Sequence, residues 1–137
     1  MNYKYFEILL NKAIKCSKTG DVPVAACVVK NNKILSIGIN SRNKKYSTIN
    51  HAEIIAIQKA NKKEKNCFLY DCDLYVTLKP CEMCEKVINN CRISNVYFLL
   101  DKPSSKHEYK KTKYIKTDNK LTEKYSEILR NFFNKLR

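Results

Sequence analysis

The stretch VPVAACVVKNNKILSIGI, Val22 to Ile39, constrains the fold more than any other part of the chain. Two runs rich in β-branched residues flank Asn31-Asn32, a two-residue turn of the chemistry that joins antiparallel neighbours, so the stretch predicts a β-hairpin that begins a sheet. Ahead of it, Tyr3 to Lys18 sets Phe6, Leu9, Leu10, Ala13 and Ile14 on one helical stripe, a core-facing first helix ended by Thr19-Gly20. After it, Ile39 to Asn50 reads as a polar loop, and HAEIIAIQKANKK as a second helix with Asn50 as its N-cap. DLYVTL is a short apolar strand that runs into Pro80 and a third helix, Cys81 to Asn90, before ISNVYFLL supplies a fourth strand. A helix between two strands implies a parallel crossover. The last helix, from about Leu121, carries Leu121, Tyr125, Ile128, Leu129, Phe132, Phe133 and Leu136 at helical spacing and reads as a packing face. With no repeat and no boundary, residues 1–137 read as a single α/β domain, a three-layer α/β/α sandwich with a mixed central sheet.

Composition narrows the setting. No run of eighteen apolar residues occurs, and the first helix is charged throughout rather than built as a signal peptide, so the expectation is a soluble cytoplasmic protein with no membrane partner. The seven cysteines, odd in number and irregularly spaced, argue against a disulfide framework and for reduced thiols with a metal site. The net charge of +14 invites a polyanion, since lysines gain affinity by displacing counterions from phosphates. Only four of the 27 basic residues are arginine, however, and Asn, Ile and Tyr are abundant, a bias that an AT-rich genome imposes on any protein. Charge alone leaves the partner open.

The chemistry concentrates in VTLKPCEMCEKVINNC. Cys81 and Cys84, three apart at a helix start, project from one face, and the positive end of the helix dipole favours their thiolates. Pro80 suits the position because its missing N–H costs nothing at a helix start. Two thiolates do not complete a zinc site, and the chain offers two histidines, His51 and His107. His51 is preferred, because it too opens a helix just after a loop, in NHAE. On an ideal helix His51 and Glu53 would lie about 200° apart. Both can face one site only if His51 stands at the very end. A His/Cys/Cys set leaves the fourth tetrahedral position open for water, which marks a catalytic zinc, and Glu53, not itself a ligand, is the candidate to accept and pass on a proton. Two alternatives stand beside this. A C-x-x-C pair can be a redox motif, or two of Cys67, Cys72 and Cys91 can join it in a four-thiolate structural site; these three read mainly as buried, neutral thiols.

H-A-E followed by P-C-x-x-C matches the zinc deaminase signature. With GDVPVAACVV, GIN ahead of the histidine, LYVTLKPCEMC and FF in the last helix, the chain resembles the bacterial tRNA-specific adenosine deaminases of the cytidine/deoxycytidylate deaminase superfamily, from about Tyr3 to Phe98 and again at the last helix. The resemblance implies a cytidine deaminase-like fold and a homodimer with one zinc per subunit, held by His51, Cys81 and Cys84. It implies conversion of the wobble adenosine of a tRNA anticodon stem-loop to inosine, with Glu53 shuttling protons. It further implies that Asn40 hydrogen-bonds the extruded base, that Val22 lines the pocket, that the Ala52 N–H meets the purine edge, and that Phe132 lies near the anticodon loop.

Two departures stand out. Lys79 occupies the place of the family's usual glutamate before P-C, and the glycine-rich loop after VYF is replaced by LLDKPSSKHEYKKTKYIK, shorter and without glycine. Its lysines, with Tyr109 and Tyr114, offer charge and stacking surface to an RNA loop, or form a solvated basic loop. The competing functions are deamination of a free base or nucleoside such as cytosine or guanine, and a catalytically silent RNA-binding partner subunit, which has no need of Glu53. Removing the lysines of the Lys106 to Lys116 loop is expected to weaken stem-loop binding and flatten its salt dependence; an unchanged slope of log affinity against log salt assigns the loop to solvent.

Overall fold

The structure, a computed structural model, describes residues 1–101, 113, 115, 116 and 120–135. These form two compact units, 1–103 and 104–137. The first contains helix α1 (Tyr3–Ser17), strands β1 (Ala25–Lys30) and β2 (Lys33–Ile39), the short helix α2 (Arg42–Lys45), helix α3 (Ala52–Glu64), strand β3 (Cys72–Leu78), helix α4 (Glu82–Asn90) and strand β4 (Asn95–Leu100); the second contains helix α5 (Lys120–Lys135).

The predicted hairpin forms, with Asn31 and Asn32 both in the left-handed region at φ 51° and 59°, as a two-residue turn between right-twisted strands requires. The sheet order is β2-β1-β3-β4. β1 is antiparallel to both its neighbours, and β3 and β4 are parallel across the α4 crossover, so the sheet is mixed. Alternation along β1 assigns its two faces. Ala25, Cys27 and Val29 pack with Tyr5, Phe6, Leu9 and Ala13 of α1, while Ala26 and Val28 pack with Ala52, Ala56, Ile57 and Ala60 of α3 and Ile88 of α4. This is the three-layer α/β/α sandwich read from the sequence. Tyr75 anchors the α1 layer, its ring 5.0 Å from Tyr5, 5.2 Å from Phe6 and 4.9 Å from Tyr97.

Four readings need correction. The buried stripe of α1 runs through Tyr5, Phe6, Leu9, Ala13 and Cys16, whereas Leu10 and Ile14 are 49 % and 61 % exposed; the helix turns a narrower face to the sheet than its apolar content suggests. The N-cap of α3 is His51, not Asn50, whose side chain instead donates to the Ser41 hydroxyl at 3.5 Å. The third helix begins at Glu82 with Cys81 as N-cap, which leaves Pro80 one residue outside it. On α5 the amphipathic spacing holds, yet Tyr125, Ile128, Leu129, Phe132 and Phe133 are exposed rather than packed. His107, Tyr109, Tyr114 and most of the lysine-rich segment lie outside the described residues, apart from the exposed Lys113, Ile115 and Lys116.

Because β2 and β3 both run antiparallel to β1, they run parallel to each other with one strand between them, roughly 10 Å apart. The chain therefore leaves both strands at the same end of the sheet, and α3 and α4 start there. Gly38 sets how closely α3 can lie. A Cβ at this position of β2 would collide with the Ala52 carbonyl and stand 2.6 Å from the Ala56 nitrogen. Ser36, two residues away on the same face, donates its hydroxyl to the Ala56 carbonyl at 2.6 Å. Gly38→Ala is accordingly expected to cost about 1–3 kcal/mol of stability in urea denaturation, the range for overpacking a tight contact, and to lower metal affinity by displacing the first turn of α3.

Candidate active site

At that shared end of the sheet the two helix starts converge. His51 is the N-cap of α3, with extended backbone (φ −71°, ψ 151°), and Cys81 is the N-cap of α4 in the same conformation (φ −71°, ψ 170°). Neither side chain caps its own helix. They turn instead towards one another: the His51 Nδ1 lies 3.7 Å from Cys81 Sγ and 3.5 Å from Cys84 Sγ, and the three ligand atoms lie within 4.8 Å of one another. The extended backbone of His51 frees its side chain from the helical screw, so that Glu53, in the first turn of α3 and only 4 % exposed, can share the site.

The donor set can be tested against a metal by its spacing. A tetrahedral zinc with Zn–S of about 2.3 Å and Zn–N of about 2.05 Å separates sulfur from nitrogen by about 3.6 Å. The two observed separations straddle that value. Burial first, then the neighbouring Glu53 carboxylate and Cys81, push the Cys84 thiol well above its ordinary value, so the thiolate needs a cation beside it. One imidazole nitrogen and two soft sulfurs at this spacing, with Cys84 buried and His51 and Cys81 half-buried, fit zinc.

The other cysteines stand apart from this cluster. Burial raises Cys16, Cys72 and Cys91, and pushes Cys27 up to about 12. Cys72 and Cys91 belong to the apolar core between the sheet and α3, and Cys67 is exposed. Among the described residues, His51, Cys81 and Cys84 form the one group of His, Cys, Asp or Glu side chains close enough to hold an ion.

A cavity of about 230 Å³ opens over the cluster. Val22, Asn40, Ala52, Glu53, Leu78 and Lys79 line it. Of the residues read from sequence, His51, Ala52, Glu53, Cys81, Asn40 and Val22 are thus brought to one place, with Cys84 buried beneath. Phe132 sits on α5 in the other unit, edge-on to Phe133 at 5.4 Å. Asn40 is held at both ends of its amide: Nδ2 donates to the Val22 carbonyl at 3.1 Å and Oδ1 accepts from the Arg42 N–H at 3.4 Å. Lys79 lines the cavity with its ammonium 6.0 Å from the centre of the Phe98 ring.

Sequence reading missed Arg42, which lines the cavity, and Asp21, which holds the Arg42 segment in place. Asp21 is buried, and its carboxylate accepts from the Asn43 N–H at 2.7 Å, the Thr19 hydroxyl at 3.0 Å and the Lys44 N–H at 3.3 Å. The Asn43 bond is the main reason its carboxyl is held below the usual range. No short-range pattern announces a bond between residues 22 apart.

The model of the cytidine and deoxycytidylate deaminase zinc-binding region matches residues 1–100. The chain belongs to this family. It is a hydrolytic deaminase by that membership, and its mixed sheet is the deaminase fold. Among the deaminases similar to it, the tRNA-specific adenosine deaminase of Aquifex aeolicus is 34 % identical over 153 aligned residues, covering 100 % of this chain and 97 % of that one. A solved structure from studies of A-to-I editing by tRNA:A34 deaminases at the wobble position of transfer RNA aligns with TM-score 0.72 and 30 % identity over 75 % of each chain. The guanine deaminase of Bacillus subtilis aligns with TM-score 0.80 over 96 % of this chain and 95 % of that one; at 24 % identity the likeness is one of fold.

Replacing His51, Cys81 or Cys84 with alanine is expected to strip the deaminase of zinc on dialysis, read by atomic emission. Cys72→Ala and Cys91→Ala should keep the metal. Loss of zinc in either of those two would point to a site of four thiolates.

Proposed function

We propose that this deaminase converts the wobble adenosine of a tRNA anticodon to inosine, releasing ammonia. The observation that carries the reading is the convergence of His51, Cys81 and Cys84 beneath a cavity walled by the buried Glu53. The whole-length similarity to a tRNA-specific adenosine deaminase supports the substrate. The same match, which spans every residue, supports taking residues 1–137 as one deaminase domain, and the family supports a homodimer with one zinc per subunit. No described helix is long and apolar enough to cross a membrane, and a tRNA substrate assigns the enzyme to the cytoplasm.

The residues take these roles. His51, Cys81 and Cys84 hold the metal. Zinc bound there would supply Lewis acidity, activating a water for attack on the amino-bearing carbon of adenine. Glu53 takes one proton of the water to the purine ring nitrogen and then carries the remaining hydroxyl proton to the departing amine, so that water and adenosine leave as inosine and ammonia. Burial beside the metal site suits this role, because the carboxylate is held away from bulk water. Asn40, fixed by the Val22 carbonyl and the Arg42 N–H, hydrogen-bonds the extruded base. Val22 lines the pocket, the N–H of Ala52 meets the purine edge, and Phe132 contacts the anticodon loop.

Inosine formation in anticodon stem-loops carrying adenosine at the wobble position, read by mass spectrometry with free adenosine, cytosine and guanine as controls, tests the reading. Inosine in the stem-loop alone supports it; ammonia from a free base or nucleoside alone overturns the substrate. Glu53→Ala is expected to keep zinc and stem-loop binding while turnover falls about 10²–10⁴-fold, the usual worth of a general acid–base group. A variant that also loses its zinc would make Glu53 a ligand instead.

A further inference from the structure

A second cavity, about 620 Å³, lies beside the first, and Asn40 lines both. It is a groove along β2, one of the two edge strands of the sheet, with Ile37 and Ile39 of that strand and Ile55 of α3 as an apolar floor. Five lysines line it: Lys12 and Lys15 from α1, Lys44 and Lys45 from α2, and Lys59 from α3. Among the described residues no Asp or Glu lines it. The Lys59 ammonium is engaged, donating to the Ile37 carbonyl at 3.1 Å, and so covers part of the open strand edge. The other four come from two elements far apart in sequence. Gathering like charges without a counter-charge is unfavourable unless an anion joins them.

The carboxylate of Asp21, two residues beyond Thr19 of the groove lining, is already occupied. It accepts the N–H groups of Asn43 and Lys44, so it holds α2 in place by its backbone. Residues 40 to 45 thereby become the wall between the two cavities, with Arg42 lining the site and Lys44 and Lys45 lining the groove. Tyr46 follows directly, at the C-cap of α2 with φ 51°, and is 97 % exposed. A left-handed tyrosine with its ring in water is costly both in backbone conformation and in exposed apolar surface. A base stacked on the ring would recover the second of these.

An apolar floor, cationic rims and an exposed ring together make the recognition chemistry of a single nucleic-acid strand: phosphates on ammonium groups, a base on an aromatic face. We infer that the groove between α1 and α3 seats the phosphodiester backbone of the RNA strand flanking the deaminated nucleotide, with Lys12, Lys15, Lys44 and Lys45 on its phosphates and Tyr46 under a base. This rests on the deaminase reading above and adds the path by which the strand leaves the catalytic cavity, over the wall formed by residues 40 to 45.

The test uses the full-length zinc-loaded protein and an anticodon stem-loop with adenosine at the wobble position. One variant carries Lys12→Gln, Lys15→Gln, Lys44→Gln and Lys45→Gln. A control carries the same charge loss outside the groove, at Lys4, Lys33, Lys62 and Lys86. The groove variant is expected to raise KM roughly tenfold and to reduce the slope of log affinity against log salt by about 0.7 for each phosphate that is no longer neutralised, while the control changes neither. Tyr46→Ala should weaken binding roughly tenfold with the slope unchanged, because stacking releases no counterions. Equal effects of the groove and control variants, or none from the groove variant, overturn the inference and leave the deaminase reading standing. A wild-type protein that makes no inosine in the stem-loop overturns the deaminase reading, and the inference with it.

Discussion

Ala25, Ala26, Cys27 and Val28 are all 0 % exposed in a strand with a hydrogen-bonded neighbour on each edge and a helical layer on each face. A strand in that position can carry only small or compact apolar side chains, and its two neighbours must both run against it for the hairpin and the β3 ladder to form. The consequence is geometric. The ends of β2 and β3 emerge on the same side, one strand apart, and the helices that follow start next to each other. Gly38 lets the first of those helices lie at backbone distance on the sheet, and Pro80 gives the second a fixed entry. The site is the meeting point that this topology produces.

Much of this was legible in the sequence, because the signals were local. The hairpin was announced by two β-branched runs around Asn31-Asn32, the parallel crossover by a helix between two strands, and the cluster by two short motifs that each open a helix. What was not legible depends on contacts between distant segments. Leu10 and Ile14 belong to the apolar stripe of α1 by periodicity, yet both are exposed, so periodicity does not say how much of the stripe is covered. Helix starts shifted by one residue, to Ala52 and Glu82, because His51 and Cys81 stand at the N-caps with extended backbone and turn their side chains to the cluster. Asp21 looks like a turn residue until its partners, 22 and 23 residues on, are known. The lysines of the groove are ordinary in a chain with 27 basic residues; only the fold selects four of them.

Burial also sorts the seven cysteines into kinds that their spacing could not separate. Those in the core, such as Cys27 and Cys72, are small apolar fillers with thiols that hold their protons. Cys84 is as deeply buried as they are, yet it faces a histidine nitrogen and a carboxylate rather than methyl groups. The same residue type therefore fills space in the core and offers a ligand sulfur at the start of α4.

His51 and Cys81 both stand at the N-cap, the position whose side chain ordinarily satisfies the helix's own first N–H groups, and both have turned away from that task. An ion held between them would join two helix ends whose N-caps are 30 residues apart in the chain. It then acts as a mechanical rivet as well as a reagent: the free energy of holding it is shared by the starts of α3 and α4, which fray or stay wound together. The first turns of both helices become one cooperative unit, and the floor of the catalytic cavity is only as rigid as that joint.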